Sequence, residues 1–329
     1  MFGSPQEYLA EAVRLVDAGA LREAVALLER VTTLERGNVP LLNFLAECYC
    51  DQEQYAAATE IFESIIELEP EYASAHSRYA IALSELGKTE QAIEQMQQAI
   101  KIEPTAARYS LLGVYFEEIG RADRADACYL RAIAMAPDFT EALFNRARLI
   151  RRHNPVEARR LLKKAIMIEP DYAEARRELG WELIELNRLD EAEESLRLSL
   201  ELKPQQAWAR IYLGHLMRRR KDFVSAEQEY IRATIDAPLW SLPLRQLGLL
   251  YSKLNRLKEA EQCFGEAYAL EPTDEANAFQ LARFHLKTGN RDDARAWIDR
   301  AISIAPNDQE FLELRKQLES SGEESPADD

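Results

Sequence analysis

The side chains that could do chemistry in this 329-residue sequence are few, and most are scattered. The four histidines, His76, His153, His215 and His285, are far apart in the chain. A metal site needs convergent ligands, and no HExxH, paired CxxC, phosphate-binding loop or GxGxxG is present. The four cysteines, Cys48, Cys50, Cys128 and Cys263, are too few for a disulfide framework in a chain this long. Cys48 and Cys50, two apart on a helix, point to different faces and read as buried or half-buried thiols. Carboxylates are abundant but fall on solvated helix faces. No catalysis, metal or cofactor is expected. The richer signal is arginine interleaved with aromatic residues in the middle of the chain. Arginine pairs bidentately with carboxylates and phosphates, and arginine with tryptophan and tyrosine is the composition of a binding hot spot.

Those residues sit in a periodic chain. Prolines recur at 70, 104, 137, 170, 204, 238, 272 and 306, in steps of 33 or 34. Ala24, Ala58, Ala92, Ala125, Ala158, Ala192, Ala226, Ala260 and Ala294 keep the same step. A third series, Ala12, Ala46, Ala80, Gly113, Ala147, Gly180, Gly214, Gly248 and Ala282, is uniformly small. A fourth, Val31, Ile65, Ala99, Ala132, Ala165, Ser199, Ala233, Ala267 and Ala301, is small or β-branched. Small residues at matched points let two helices approach closely, and the proline ends the second helix because it cannot continue one. Each unit is therefore helix–turn–helix, with helix A around the small residue and helix B around the alanine.

In residues 72–104 (YASAHSRYAIALSELGKTEQAIEQMQQAIKIEP) and 172–204 (YAEARRELGWELIELNRLDEAEESLRLSLELKP) the pattern resembles the tetratricopeptide repeat. It has the aromatic before helix A, the Leu-Gly or Tyr-Ala pair, the Gly/Asn turn, the alanine and the final proline. The resemblance covers nine units: 5–38, 39–72, 73–105, 106–139, 140–172, 173–206, 207–240, 241–274 and 275–308. Residues 309–319 read as a solvating cap helix with Phe311, Leu314 and Leu318 on its apolar stripe, and 320–329 as a disordered acidic tail. The first unit departs from the pattern at Glu11 and Arg36. The fifth has Arg146 at a leucine position and a shortened turn, in which Asn154 caps helix B and Pro155 takes its first position. The expected fold class is all-α: an α-solenoid, 1–319, in which each unit buries its apolar face only against neighbours. The resemblance implies a right-handed superhelix whose helices A line a concave groove that holds an extended peptide or a partner helix.

The net charge of −16 disfavours a DNA partner, whose binding rests on phosphate neutralisation. The charge is uneven: residues 1–139 carry net −12, residues 140–253 net +4 and residues 254–329 net −8. No basic stretch followed by an apolar run opens the chain and no apolar run is long enough to span a bilayer. The expectation is a cytoplasmic protein without membrane insertion.

On the helix-A stripe, the first four units offer Glu47, Asp51, Glu85, Glu117 and Glu118, and units five to eight offer arginines and rings. The candidate partner-binding residues are Phe144, Asn145, Arg148, Arg151, Arg152, Arg177, Trp181, Trp208, Tyr212, His215, Arg218, Arg219 and Arg245. They would take an acidic or carboxylate-bearing segment of a protein partner, with an apolar side chain anchored between neighbouring Trp181 and Trp208. The competing expectation is that the arginines pair with Glu178, Glu182 and Glu185 and that the tryptophans only pack between units. Arg159, Arg160, Lys163 and Lys164 lie on helix B and read as a solvated face. Co-chaperones of this family carry a carboxylate clamp of Lys, Asn and Arg. Of the corresponding positions Leu9, Val13, Phe44, Ser74 and Arg78, only Arg78 matches, and the asparagine ladder of glycosyltransferase-type arrays is represented by Asn145 alone. The expected function is a non-enzymatic interaction scaffold or adaptor. The alternatives are an assembly or secretion chaperone acting as a stoichiometric partner, and single-stranded RNA binding on the Arg/Trp surface, which the overall acidity disfavours.

Overall fold

The computed structural model describes residues 4–320, and among these residues there are nineteen α-helices and no strand. The chain forms two compact units, Met1–Pro170 and Asp171–Asp329. The first contains α1 (Pro5–Asp17), α2 (Leu21–Leu34), α3 (Val39–Asp51), α4 (Tyr55–Leu68), α5 (Ala73–Glu85), α6 (Thr89–Ile102), α7 (Ala106–Glu118), α8 (Ala122–Met135), α9 (Thr140–Ile150) and α10 (Pro155–Ile168). The second contains α11 (Ala173–Glu185), α12 (Leu189–Leu202), α13 (Ala207–Arg219), α14 (Phe223–Asp236), α15 (Ser241–Lys253), α16 (Leu257–Leu270), α17 (Glu275–Lys287), α18 (Arg291–Ile304) and α19 (Gln309–Ser320). The acidic tail expected at 320–329 lies outside the described residues beyond Ser320. No described helix is long and apolar enough to cross a membrane.

Each odd-numbered helix up to α17 packs on the even-numbered helix that follows it. In the second unit α11, α13, α15 and α17 also touch in sequence, so the helices A form one wall. The four periodic series account for this pairing. The alanines of helix B, Ala24 through Ala294, are all fully buried. The small residue of helix A leaves room for a large one on helix B. At Gly214 an added Cβ would lie 2.4 Å from a ring carbon of Tyr230, and at Gly113, Gly180 and Gly248 it would lie 2.5–2.6 Å from Tyr129, Leu196 and Phe264.

The turn from helix A to helix B repeats one conformation. Gly19, Glu53, Gly87, Gly120, Asn187, Lys221, Asn255 and Gly289 all have φ between 58° and 83°. Four of these residues are glycines, which meet no steric cost there; a non-glycine side chain costs roughly 1–2 kcal/mol. The fifth repeat departs as its sequence suggests. Asn154 accepts a hydrogen bond from the Glu157 amide and Pro155 opens α10. Arg146, at the leucine position, is enclosed between Asp126 (2.8 Å) and Glu157 (3.3 Å), so its charge is compensated rather than exposed.

Tyrosine–glutamate hydrogen bonds tie neighbouring helices together. Tyr49 donates to Glu29, Tyr79 to Glu63, Tyr129 to Glu117 and Tyr251 to Glu227. At the end of the second unit Phe311, Leu314 and Leu318 of α19 close over Phe279, Ala282 and Ile298.

These packing relations separate two glycines. Gly214→Ala forces a methyl into the Tyr230 ring and is expected to destabilise the protein by about 1–3 kcal/mol. Gly265→Ala, on α16 with nothing within 4 Å of the added carbon, is expected to stabilise it by roughly 0.5–1 kcal/mol. Chemical denaturation of both variants measures the difference in sign.

Candidate partner-binding site

The candidate residues divide between the two units. In the first, Arg148 reaches the Glu117 carboxylate at 3.1 Å, and Glu117 also accepts the Tyr129 hydroxyl. Phe144, Asn145 and Arg151 are half-buried, and Arg152 is exposed. On helix B, Arg160 pairs with Glu157 at 2.7 Å and Lys164 donates to the Pro137 carbonyl.

The second unit holds the tighter constellation. Trp181 on α11 packs against Tyr212 on α13, with ring centroids 4.8 Å apart, and its face meets the edge of His215 at 5.7 Å. Trp208, at the start of α13, lies 5.6 Å from Tyr212 and 4.8 Å from Trp240. Tyr212 therefore stands between the two tryptophans that the repeat spacing predicts as neighbours. Trp240 continues the row, and it occupies the residue before α15, where the repeat pattern already carries an aromatic. Trp208 is 44% exposed, a large value for a tryptophan in a packed row. Trp181 and Trp240 are half-buried and Tyr212 is buried, so Trp208 is the exposed ring of the row.

The arginines separate into engaged and available groups. Arg177 pairs with Glu178 at 2.9 Å, and Arg245 donates to Asp274 at 2.6 Å and to Asn277 at 2.8 Å. Both guanidinium side chains are only 16% exposed. Both guanidinium groups are engaged within the fold, Arg177 with the Glu178 of the competing expectation and Arg245 with the residue that caps α17 and with Asn277. Arg219 binds Glu185 at 2.8 Å and the Ile184 carbonyl. Arg218 makes one long contact, 3.5 Å, to the Tyr230 hydroxyl, and its buried Nε has no acceptor.

Trp181, Ile184, Glu185, His215, Arg218, Arg219, Lys221 and Lys253 line a cavity of about 430 Å³. Lys221 joins it from the left-handed turn between α13 and α14, with φ of 64°. The repeat spacing gives no sign of Lys221 as a site residue, because turn positions lie off the helix-A stripe, whereas Glu185 appears there as a pairing partner of the arginines. The His215 ring lies between Trp181 and Tyr230 and hydrogen-bonds Gln246, while its buried Nε2 has no partner. Burial, with the Arg218 charge added, pushes its pKa down to about 4, so the ring is neutral near pH 7. Burial likewise pushes the thiols of Cys48, Cys128 and Cys263 up to about 11, leaving little thiolate near neutrality. His76 is buried between Gln95 and the Pro70 carbonyl. Among the described residues no group of three His, Cys, Asp or Glu could hold a metal ion.

Models of the tetratricopeptide repeat match residues 15–65, 51–114, 149–205 and 251–318, and a second such model matches 110–166. The human protein O-mannosyl-transferase TMTC3 is 23% identical over 306 residues, covering 87% of this chain. The chain spans about a third of that relative, 33%. A solved structure of the APC/C hetero-tetramer Cut9-Hcn1 is similar with a TM-score of 0.62 at 18% identity, over 96% of this chain and 64% of that one. A tetratricopeptide repeat protein from Parabacteroides merdae is similar with a TM-score of 0.63 at 18% identity, over 75% of this chain and 98% of that one.

The depressed pKa of His215 has a measurable sign. The folded value of about 4 lies below the unfolded value of about 6.5. The unfolded chain therefore takes up this proton first, and stability is lost as pH falls from 6.5 to 4, by about 3 kcal/mol in all. Unfolding free energies measured across that range are expected to show the wild type losing about 3 kcal/mol relative to His215→Gln between pH 6.5 and 4.

Proposed function

The chain belongs to the tetratricopeptide repeat family, and from that membership we propose that it is a non-enzymatic protein–protein interaction scaffold or adaptor. Its helix-A wall in the second unit holds a segment of a partner protein. The observation that carries this reading is the exposed Trp208 ring, backed by Tyr212 and flanked by half-buried Trp181 and Trp240, beside cations whose charges are not all matched within the fold. Such a row takes apolar side chains of an extended or helical segment, and the neighbouring cations favour an acidic or carboxylate-bearing one. The charges of repeats six to eight beside this row would then fix the polarity of the bound segment. A cytoplasmic location and a single continuous array over 1–319 belong to the same proposal. The mannosyl-transferase relative lends it no catalytic role, since the likeness spans a third of that protein.

The test is affinity capture with the intact chain, identification of the bound protein, and measurement of its affinity for variants. Trp208→Ala removes an exposed ring and is expected to weaken the partner at least tenfold, a typical hot-spot loss, while leaving the melting temperature near that of the wild type. A partner bound equally well by Trp208→Ala and Trp181→Ala rejects the aromatic row as its seat. A ligand whose affinity falls steeply with salt and which proves to be RNA replaces the protein reading altogether.

A further inference from the structure

The cavity beside Trp181 asks for more negative charge than one carboxylate carries. Four cations line it, Arg218, Arg219, Lys221 and Lys253, against one acid, Glu185. Arg219 and Glu185 satisfy each other at 2.8 Å. That leaves Arg218, Lys221 and Lys253. Lys253 rests over the Phe223 ring at 5.1 Å, a contact that leaves its ammonium hydrogens free for an oxygen acceptor. Two buried nitrogen atoms have no partner, Arg218 Nε and His215 Nε2. A buried guanidinium nitrogen without an acceptor costs free energy comparable to a lost hydrogen bond, so the Arg218 side chain is not satisfied within the fold. Both belong to side chains lining the same space.

We propose that this cavity is the seat of a phosphate monoester carried on a side chain of the partner segment, held by Arg218, Lys221 and Lys253. The inference rests on the partner-binding reading above and names the group recognised. A phosphate monoester brings about −1.5 to −2 charges and three acceptor oxygens at pH 7, against one charge and two oxygens for a carboxylate. Three cations without an acidic partner in the cavity match the former. The Trp181 face and Ile184 form the apolar wall along which the carrying side chain enters. The aromatic row extends away from this point through Tyr212 to Trp208 and Trp240, so a polypeptide anchored here has a path for its neighbouring residues. That continuity favours a phosphorylated protein segment over a nucleic acid, whose diester phosphates carry one charge each.

The experiment titrates the full chain with N-acetyl-phosphoserine amide, N-acetyl-aspartate amide and a uridine decanucleotide. The Trp181 indole signal is followed by NMR at fixed, low ionic strength. Phosphoserine amide is expected to bind saturably and at least tenfold more tightly than the aspartate analogue. Arg218→Gln and Lys253→Gln are each expected to weaken it at least fivefold with the fold intact by circular dichroism. Equal binding of the two amides, no saturation by phosphoserine amide, or tighter binding of the oligonucleotide overturns the proposal. So does a pair of variants that lower the melting temperature but leave the affinity unchanged, because the cations then serve only the C-termini of α13 and α15. Capture of the partner by the wild type and its loss in Trp208→Ala are measured separately. If they hold while phosphoserine amide fails, the phosphate seat alone is wrong.

Discussion

Everything in this molecule depends on how closely helix A of a repeat can approach its own helix B. The approach is set by an absent side chain. Where Gly214 faces Tyr230, Gly113 faces Tyr129 and Gly248 faces Phe264, a ring occupies the volume that a methyl would otherwise claim. Other repeats place alanine at this point, Ala12, Ala46, Ala80, Ala147 and Ala282, each almost wholly buried. Close-packed interiors leave little room for anything larger there. Once that distance is fixed, the next helix A has a defined surface to land on, and a local rule propagates along each compact unit.

The same rule explains why so much of the fold was legible and so little of the site. Ala24 through Ala294 and the eight prolines mark helix B and its end, and the helices begin and stop where those residues say. Asn154 and Pro155 announce the odd turn of the fifth repeat in advance of any coordinates. Periodicity of this kind reports packing between neighbours, which is local in sequence. It does not report where a long, charged side chain goes once the helix has formed. Arg177 and Arg245 share the helix-A stripe with Arg218, yet each finds an acid or amide within reach, Glu178 in one case and Asp274 with Asn277 in the other. Arg218 does not. The distinction rests on a few ångströms of side-chain geometry. Tyr212 between Trp181 and Trp208 is a further instance: a stripe places both tryptophans on one wall but does not say which ring fills the step between them.

The aromatic row with its exposed Trp208 and the cation-lined cavity lie on the second compact unit, built on α11, α13 and α15. Rigid helices hold the row, and the turn between α13 and α14 adds Lys221. Preorganisation of this sort lowers the ordering cost that a partner's arrival would otherwise incur. It also localises the exposed, chemically distinctive surface to a few repeats, while the others supply the scaffold that fixes its shape.

The phenol–carboxylate bonds between helices have a further consequence at alkaline pH. Burial, and then the Glu63, Glu117 and Glu227 carboxylates, push the hydroxyls of Tyr79, Tyr129 and Tyr251 upward, and burial with Glu29 brings Tyr49 to about 12. A free phenol ionises near 10. Above that pH the unfolded chain sheds these protons while the folded one must keep them, so four seams between helices come under strain together. Because they are spread over both units, base would loosen this protein as a series of unfastening joints rather than at one weak point.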